Sequence, residues 1–137
     1  MKKENLYVFV AIALMLFLGS CEGGTTFTKT LDNRSSEDIT VKLYTHFGES
    51  SPVTVNSNEK KEIYWDDRMG HFVDETYTCT QIIDSVAIRV TNDKVLVIDF
   101  LDPANWTRES RDGRNAREDC TFVVTDEHLE TGSDGGG

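Results

Sequence analysis

The chain has 137 residues, with 14 lysines and arginines against 24 aspartates and glutamates, for a formal net charge of −10. Binding to nucleic acid depends on clustered basic side chains that contact phosphates, so this balance argues against a nucleic-acid partner. The length suffices for one domain with a single hydrophobic core.

The start of the chain has the layout of an export signal. A pair of lysines at positions 2–3 precedes an apolar run over residues 6–18. This run is shorter than the roughly 20 residues that a membrane-spanning helix needs, so it predicts a cleaved signal rather than a permanent anchor. The sequence Leu-Gly-Ser-Cys at positions 18–21 resembles the lipobox of bacterial lipoproteins.

The resemblance implies that residues 1–20 are removed by cleavage between Ser20 and Cys21, and that the Cys21 thiol carries a diacylglyceryl group. Two or three acyl chains on one residue would hold a protein at a membrane, whereas a single chain binds only marginally. The alternative is a secreted protein that keeps Cys21 as an ordinary thiol. Cleavage removes two lysines and one glutamate, which leaves 12 basic and 23 acidic residues and a charge of −11.

Two cysteines remain once Cys21 is lipidated, namely Cys79 and Cys120. Because exported proteins occupy compartments in which disulfides persist, we expect these two to form a disulfide. Free thiols and a metal-binding pair are the competing interpretations. Zinc is disfavoured because no histidine lies within four residues of either cysteine and no C-x-x-C sequence occurs.

Composition divides the mature chain into three parts. Residues 21–26 include two glycines and two threonines and are expected to form the lipidated N-terminus and a flexible spacer. Residues 27–130 form the predicted domain. The glycine-rich residues 131–137 are expected to be a disordered tail.

The first half of the domain reads as short strands. Ile39, Val41 and Leu43 alternate with polar residues, the period-2 pattern of a strand with one buried face. Weaker alternation predicts strands near residues 27–31 and 53–55, and residues 63–65 read as a short aromatic strand. A loop is expected over residues 66–76.

The second half continues the pattern. Residues 86–90 alternate, residues 91–94 supply turn chemistry, and residues 95–101 return as an apolar strand. Because residues 95–98 are apolar on both faces, we expect this strand to be central and covered on both sides. Residues 102–119 read as a polar connection, followed by a last strand over 120–125 and a short helical turn in 126–130.

About seven short strands predict an all-β fold, a single antiparallel β-sandwich, with a partly open barrel as the alternative. Residues 31–44, residues 53–63 and the closing sequence CTFVVTDEHLE resemble small cell-envelope lipoproteins of Bacteroidota. Such families are mostly without known function, so the resemblance bears on fold and location only.

Acidic residues after the aromatic strand are weak candidates for a metal site. Asp66, Asp67, His71 and Asp74 could offer oxygen and nitrogen ligands to a hard cation such as Ca²⁺. The spacing lacks the EF-hand pattern. The alternative interpretation is a solvated acidic loop, with no cofactor beyond the lipid on Cys21.

Sequence motifs of catalysis are absent: there is no G-x-S-x-G, no H-E-x-x-H and no glycine-rich phosphate loop. No catalytic residue is therefore assigned. Aromatic residues with a polar end are favoured at interfaces, and Tyr44, Tyr64, Trp65 and Trp106 are candidates for a binding surface for protein or glycan. Core packing of the two tryptophans is the alternative.

These features favour a lipid-anchored protein of the cell envelope that acts as a non-catalytic binding or interaction module. Its expected partners are the membrane, through the lipid, and a protein or glycan of the envelope. Glu22 follows the lipidated cysteine, where aspartate would mark inner-membrane retention, so the outer membrane is favoured. A metal-dependent or carboxylate-based envelope hydrolase and a structural or inhibitory protein are the alternatives.

Overall fold

A computed structural model describes residues 23–70 and 73–132 of the chain. This part is almost entirely β-structure, which confirms the predicted fold class. The strands are β1 Gly24–Asn33, β2 Ile39–Thr45, β3 Gly48–Glu49, β4 Val53–Val55, β5 Lys60–Met69, β6 Ile83–Val90, β7 Lys94–Leu96, β8 Trp106–Arg111, β9 Asn115–Val124 and β10 Leu129–Thr131. Two 3₁₀ turns cover Pro103–Asn105 and Asp126–His128. Within these residues, no helix is long and apolar enough to cross a membrane.

Two main sheets pack face to face. The first has the strand order β5-β1-β9-β8, and the second is built around β2. Strand β6 pairs along the whole of β2, so β3 and β4 share the opposite edge of that strand. Strands β7 and β10 form a separate two-stranded sheet. One pair departs from the predicted antiparallel pattern, since β1 and β9 run parallel over ten residues.

The core lies between the two main sheets. On β2 the alternating residues Ile39, Val41 and Leu43 are buried, as the sequence predicts. Three aromatic rings meet them from the first sheet and its connections, with centroids 4.7 to 5.2 Å apart: Phe100, Trp106 and Phe122. The Trp106 indole N–H donates to the Phe100 carbonyl at 2.8 Å, so the one polar atom of this buried side chain has a hydrogen-bond partner.

Both ends of the domain extend further than predicted. Strand β1 begins at Gly24, so residues 24–26 of the expected spacer belong to a strand, and Thr25 is buried. At the other end, Thr131 belongs to β10, and the amide of Gly132 donates to the Asp93 carbonyl at 2.8 Å. The rest of the predicted tail, the signal peptide and Cys21 lie outside the described residues.

Strand β5 contains most of the residues predicted as an acidic loop. It continues to Met69 because β1 pairs with it as far as Gly24. The loop prediction over 66–76 is therefore wrong for residues 66–69. The consecutive charged residues 66–68 indicated a loop. In the structure they belong to a strand, and their side chains alternate between the two faces of the sheet.

The prediction of a central strand over residues 95–101 is wrong. The turn itself is present, with Asn92 and Asp93 in the left-handed region at φ of 56° and 55°. After it, only Lys94–Leu96 forms a strand, and that strand pairs with β10 rather than with β6. Val95 and Val97 are 47% and 46% exposed.

A hairpin replaces the polar connection predicted over residues 102–119. Strand β8 lies inside that segment, and β9 begins at Asn115 and pairs with it. The many charged residues of this segment indicated a solvent-exposed connection. In the structure two of them, Arg108 and Glu118, form an ion pair on the inner face of the sheet.

Candidate functional site

The inner face of the first sheet contains buried charged side chains. Glu118 is fully buried there, and Arg108 binds it through Nε and Nη2, both at 2.7 Å. The hydroxyl of Ser110 donates to the same carboxylate at 2.7 Å. A buried carboxylate is stabilised by such charge-assisted hydrogen bonds.

Lys29 lies beside this pair and is also fully buried. Its ammonium donates to the carbonyl of Cys79 and to the Tyr77 hydroxyl, the latter at 3.3 Å. Burial lowers the pKa of Lys29 to about 8. Burial, aided by the negative charge of Glu118, raises the pKa of Tyr77 to about 12.

The partners of these cations lie in an irregular segment, residues 73–82, here called the strap. Arg108 donates to the strap carbonyls of Asp74 at 2.6 Å and Tyr77 at 3.0 Å. The disulfide between Cys79 and Cys120, with Cα atoms 5.7 Å apart, joins the strap to β9 and confirms the predicted pairing.

Buried titratable groups often mark active sites, but the geometry here accounts for them by a structural role, the binding of the strap. The strap makes no ladder hydrogen bonds within the described chain, so its buried carbonyls need other donors. Lys29 and Arg108 supply them. No buried side-chain nitrogen or oxygen of the described residues lacks a partner, and Lys29 has no surface from which to reach a substrate.

The candidate metal ligands are not brought together. Asp66 and Asp67 are neighbours on β5 and therefore point to opposite faces. Asp66 accepts from Arg68 Nε at 2.7 Å, and Asp74 accepts from the amide and hydroxyl of Thr76, which lowers the Asp74 pKa. His71 lies outside the described residues, and the remainder contain no group of three metal-binding side chains.

The candidate aromatic residues do not form one surface either. Trp106 is in the core, and Tyr64 is half-buried on the inner face of the first sheet. Trp65, its neighbour on β5, is 58% exposed on the outer face. Tyr44 lies on the other sheet, under the Lys42 ammonium at 5.1 Å from the ring centre.

A small cleft opens beside the strap, with a volume of about 160 Å³. Its lining includes Arg68, Asp74, Tyr77 and Gln81. The Arg68 guanidinium lies 5.2 Å from the ring centre of Phe27, so one wall is already packed. The volume equals that of about five liquid waters, below the usual range of ligand pockets.

The second opening is an apolar groove along β6. One edge of β6 pairs with β2, and no strand among the described residues pairs with the other edge. Between that edge and residues 94–101 lies a groove of about 290 Å³. Its apolar lining includes Val86, Ile88, Leu96 and Ile98.

Exposed apolar side chains surround the groove. Val95 and Leu101 belong to its lining and are 47% and 37% exposed, and Val97 on the same segment is 46% exposed outside the lining. The sequence predicted no site here, although the run VLVI is its signal. Leu96 and Ile98 both pack against the core and line the groove, whereas Val95 and Val97 alternate with them and are exposed.

Carboxylates dominate the charge of residues 93–102, here called the groove wall. Asp99 lies in the groove lining itself, and Asp93 and Asp102 flank the lining residues 94–101 at the two ends. The one cation of this wall, Lys94, is paired with Glu37 at 2.9 Å. Hydrogen bonds from Thr91 and this lysine lower the Glu37 pKa to about 2, so the pair stays ionised at neutral pH. The wall is therefore negative.

No protein-family model, no curated protein and no solved structure matches this chain.

Proposed function

We propose that the protein is a non-catalytic binding module, held at the outer membrane by lipid on Cys21, that recognises a partner protein at the apolar groove beside β6. The observation that carries this proposal is the combination of an open strand edge with exposed valines and a leucine around it. Contiguous apolar surface of this kind usually marks an interaction site in soluble domains.

The two edges of the first sheet support this assignment by contrast. Exposed strand edges template unwanted pairing, and proteins usually protect them with charges. Strand β8 carries Arg108, Glu109 and Arg111, and six of the ten residues of β5 are charged. Strand β6 has charges only at positions 84 and 89, and its central residues 86–88 are apolar. The centre of the β6 edge therefore lacks this protection.

The orientation relative to the membrane also favours the groove. Two residues lie between Cys21 and the start of β1 at Gly24, a reach of about 10 Å over three steps of the chain, so the Gly24 end of the domain faces the bilayer. Strand β1 spans about 33 Å from there. The Thr91 amide donates to the Asp38 carbonyl just beyond the far end of β1, so the turn that begins the groove points away from the membrane.

Replacing the lipidated cysteine tests the anchor. In a bacterial host that processes lipoproteins, Cys21→Ser should remove lipid labelling and release the domain from the membrane fraction. The matched control, Cys79→Ser with Cys120→Ser, should keep the lipid. A Cys21→Ser protein that is still lipid-labelled would show that the anchor lies elsewhere.

Site-specific crosslinking tests the groove. A photo-crosslinking residue in place of Val95 should form an adduct of one discrete mass in intact cells, and Leu101, which also lines the groove, should give the same adduct. The matched control is Glu109, which is exposed on the far edge of the first sheet and should give none. Equal adducts from positions 95 and 109, or none at all, would refute the groove as the contact surface.

A further inference from the structure

We infer that the partner enters the groove as an added β-strand, and that the segment it contributes is extended, basic and apolar at every second residue. This inference rests on the proposed function and specifies its ligand. The supporting observations are the free backbone of β6, the apolar floor of the groove and the negative charge of its wall.

The backbone of β6 supplies one side of a ladder. An edge strand of eight residues presents the N–H and C=O groups of roughly every second residue away from its neighbour. Among residues 23–70 and 73–132, none pairs with this edge, because after the turn Val97 donates to the His128 carbonyl at 2.9 Å and β7 pairs with β10. Hydrogen bonds from an added strand would complete the edge.

The groove floor determines the side-chain pattern. Val86 and Ile88 lie opposite Leu43 and Val41 on β2, so they point to the inner face of the sheet. An added strand would alternate in the same way, with every second side chain directed at this floor. Those positions must be apolar, because the floor offers valine, leucine and isoleucine side chains.

The charge of the wall selects a basic segment. Asp99 and Asp102 are held in place, since they accept from the amides of Leu101 and Ala104 at 2.8 and 2.9 Å. With Asp93 they give three carboxylates against one exposed cation on β6, Arg89. Lysine or arginine at the intervening positions of the added strand complements this wall.

A second copy of the chain is a poorer occupant by the same argument. Pairing two β6 edges would bring two walls with the same negative charge together, in a mature domain whose formal charge is −11 by the count above. Like charges brought together at an interface oppose association. Dimerisation through β6 is therefore an outcome that would overturn the inference.

Synthetic peptides test the inference directly. The probe is a peptide matched to β6 in length, alternating valine and lysine, and the control alternates valine and glutamate. Binding to the purified domain, residues 21–137, is followed by fluorescence anisotropy, with hydrogen exchange on β6. The lysine peptide should bind at least tenfold more tightly than the glutamate peptide and lose affinity with added salt.

Backbone methylation separates strand addition from simple apolar contact. One lysine peptide is N-methylated on its valines and another on its lysines, which blocks opposite edges of the strand. One of the two should lose affinity by about tenfold or more, because several hydrogen bonds are lost at once. Equal affinities of the two methylated peptides would overturn strand addition.

Two further results complete the test. Bound peptide should slow amide exchange in residues 84–90, and Asp93→Asn with Asp99→Asn should reduce the preference for lysine, whereas the control Asp67→Asn on the other sheet should not. Unchanged exchange, no peptide binding, or concentration-dependent dimers protected at β6 would refute the inference. If position 95 still crosslinks to a partner in cells, the proposed function survives and only the strand mode fails.

Discussion

The strap and the groove lie where the two sheets of the sandwich fail to cover each other, and the chain treats them in opposite ways. The strap closes its side with a disulfide and with hydrogen bonds from two cations, Lys29 and Arg108, to its backbone carbonyls. Among the described residues the groove side has no such cover, and apolar side chains remain at the surface. The buried charges of this protein therefore hold the strap against the first sheet. The candidate binding site is recognised instead by its exposed apolar side chains.

Removing the buried carboxylate should have the largest effect on the closed side. Glu118→Ala leaves Arg108 without its partner, and breaking a buried ion pair costs about 4 kcal/mol. The free energy of unfolding in urea, with the disulfide intact, measures the loss. The control Glu109→Ala is exposed on the neighbouring strand and should change stability by about 0.5 kcal/mol or less. Similar values for both variants would mean that the strap is not held through Glu118.

Opening the disulfide should be the next largest effect. Cys79→Ala with Cys120→Ala should reduce the free energy of unfolding by about 3 kcal/mol, because the bond closes a loop with a sequence separation of 41. Hydrogen exchange in residues 73–82 should accelerate more than exchange in residues 84–90. Uniform acceleration across both segments would contradict the separate closure of the strap.

The buried lysine should give a characteristic pH dependence. Its pKa of about 8 lies below the ordinary lysine value of 10.5, so between these values the unfolded chain binds more protons and stability rises with pH. From pH 7.5 to 9.5 the gain attributable to Lys29 is about 2 kcal/mol. Above pH 10 the raised pKa of Tyr77 acts in the opposite direction, because the unfolded tyrosine loses its proton first.

The comparison protein for this measurement is Lys29→Met, which removes the titration and retains most of the side-chain volume. The difference in urea unfolding free energy between the two proteins at pH 7.5 and 9.5 isolates the lysine from other titrating groups. A constant difference across this range would mean that Lys29 has an ordinary pKa in the folded protein.

The smallest effect is expected at the groove. Val95→Thr should change stability by about 0.5 kcal/mol or less, because this side chain is 47% exposed. The same substitution at Val124, which is fully buried, should cost about 1 to 3 kcal/mol by burying a hydroxyl. Thermal or urea unfolding distinguishes these outcomes. A large loss at Val95 would assign the exposed valine to structure and weaken the case for a binding site.

The predictions that succeeded rest on local chemistry. Alternation placed Ile39, Val41 and Leu43 in the core, and cysteine arithmetic after the lipobox resemblance paired Cys79 with Cys120. The first depends on the alternation of side chains along one strand, and the second depends on the number of cysteines. Neither requires knowledge of which strands become neighbours.

The site predictions failed for reasons that involve distant residues. Tyr64 and Trp65 were grouped by chemistry, but adjacent residues of a strand face opposite sides of its sheet. The apolar run after the turn at 91–94 predicts a central strand, but this prediction is wrong. β-propensity describes a favourable environment for a residue and not the position of its strand in a sheet. Its pairing with β10, at the end of the chain, removed it from β6.

Sequence alone determined the all-β class, the alternating faces of β2, the disulfide partners and the expectation of a lipid anchor at Cys21. These follow from side-chain periodicity, composition and short motifs, which act over a few residues. Only the tertiary structure decided that β1 and β9 run parallel, that Lys29 is buried under the strap and that no described strand pairs with the second edge of β6. Those features depend on which strands become neighbours, a choice made by packing across the whole chain.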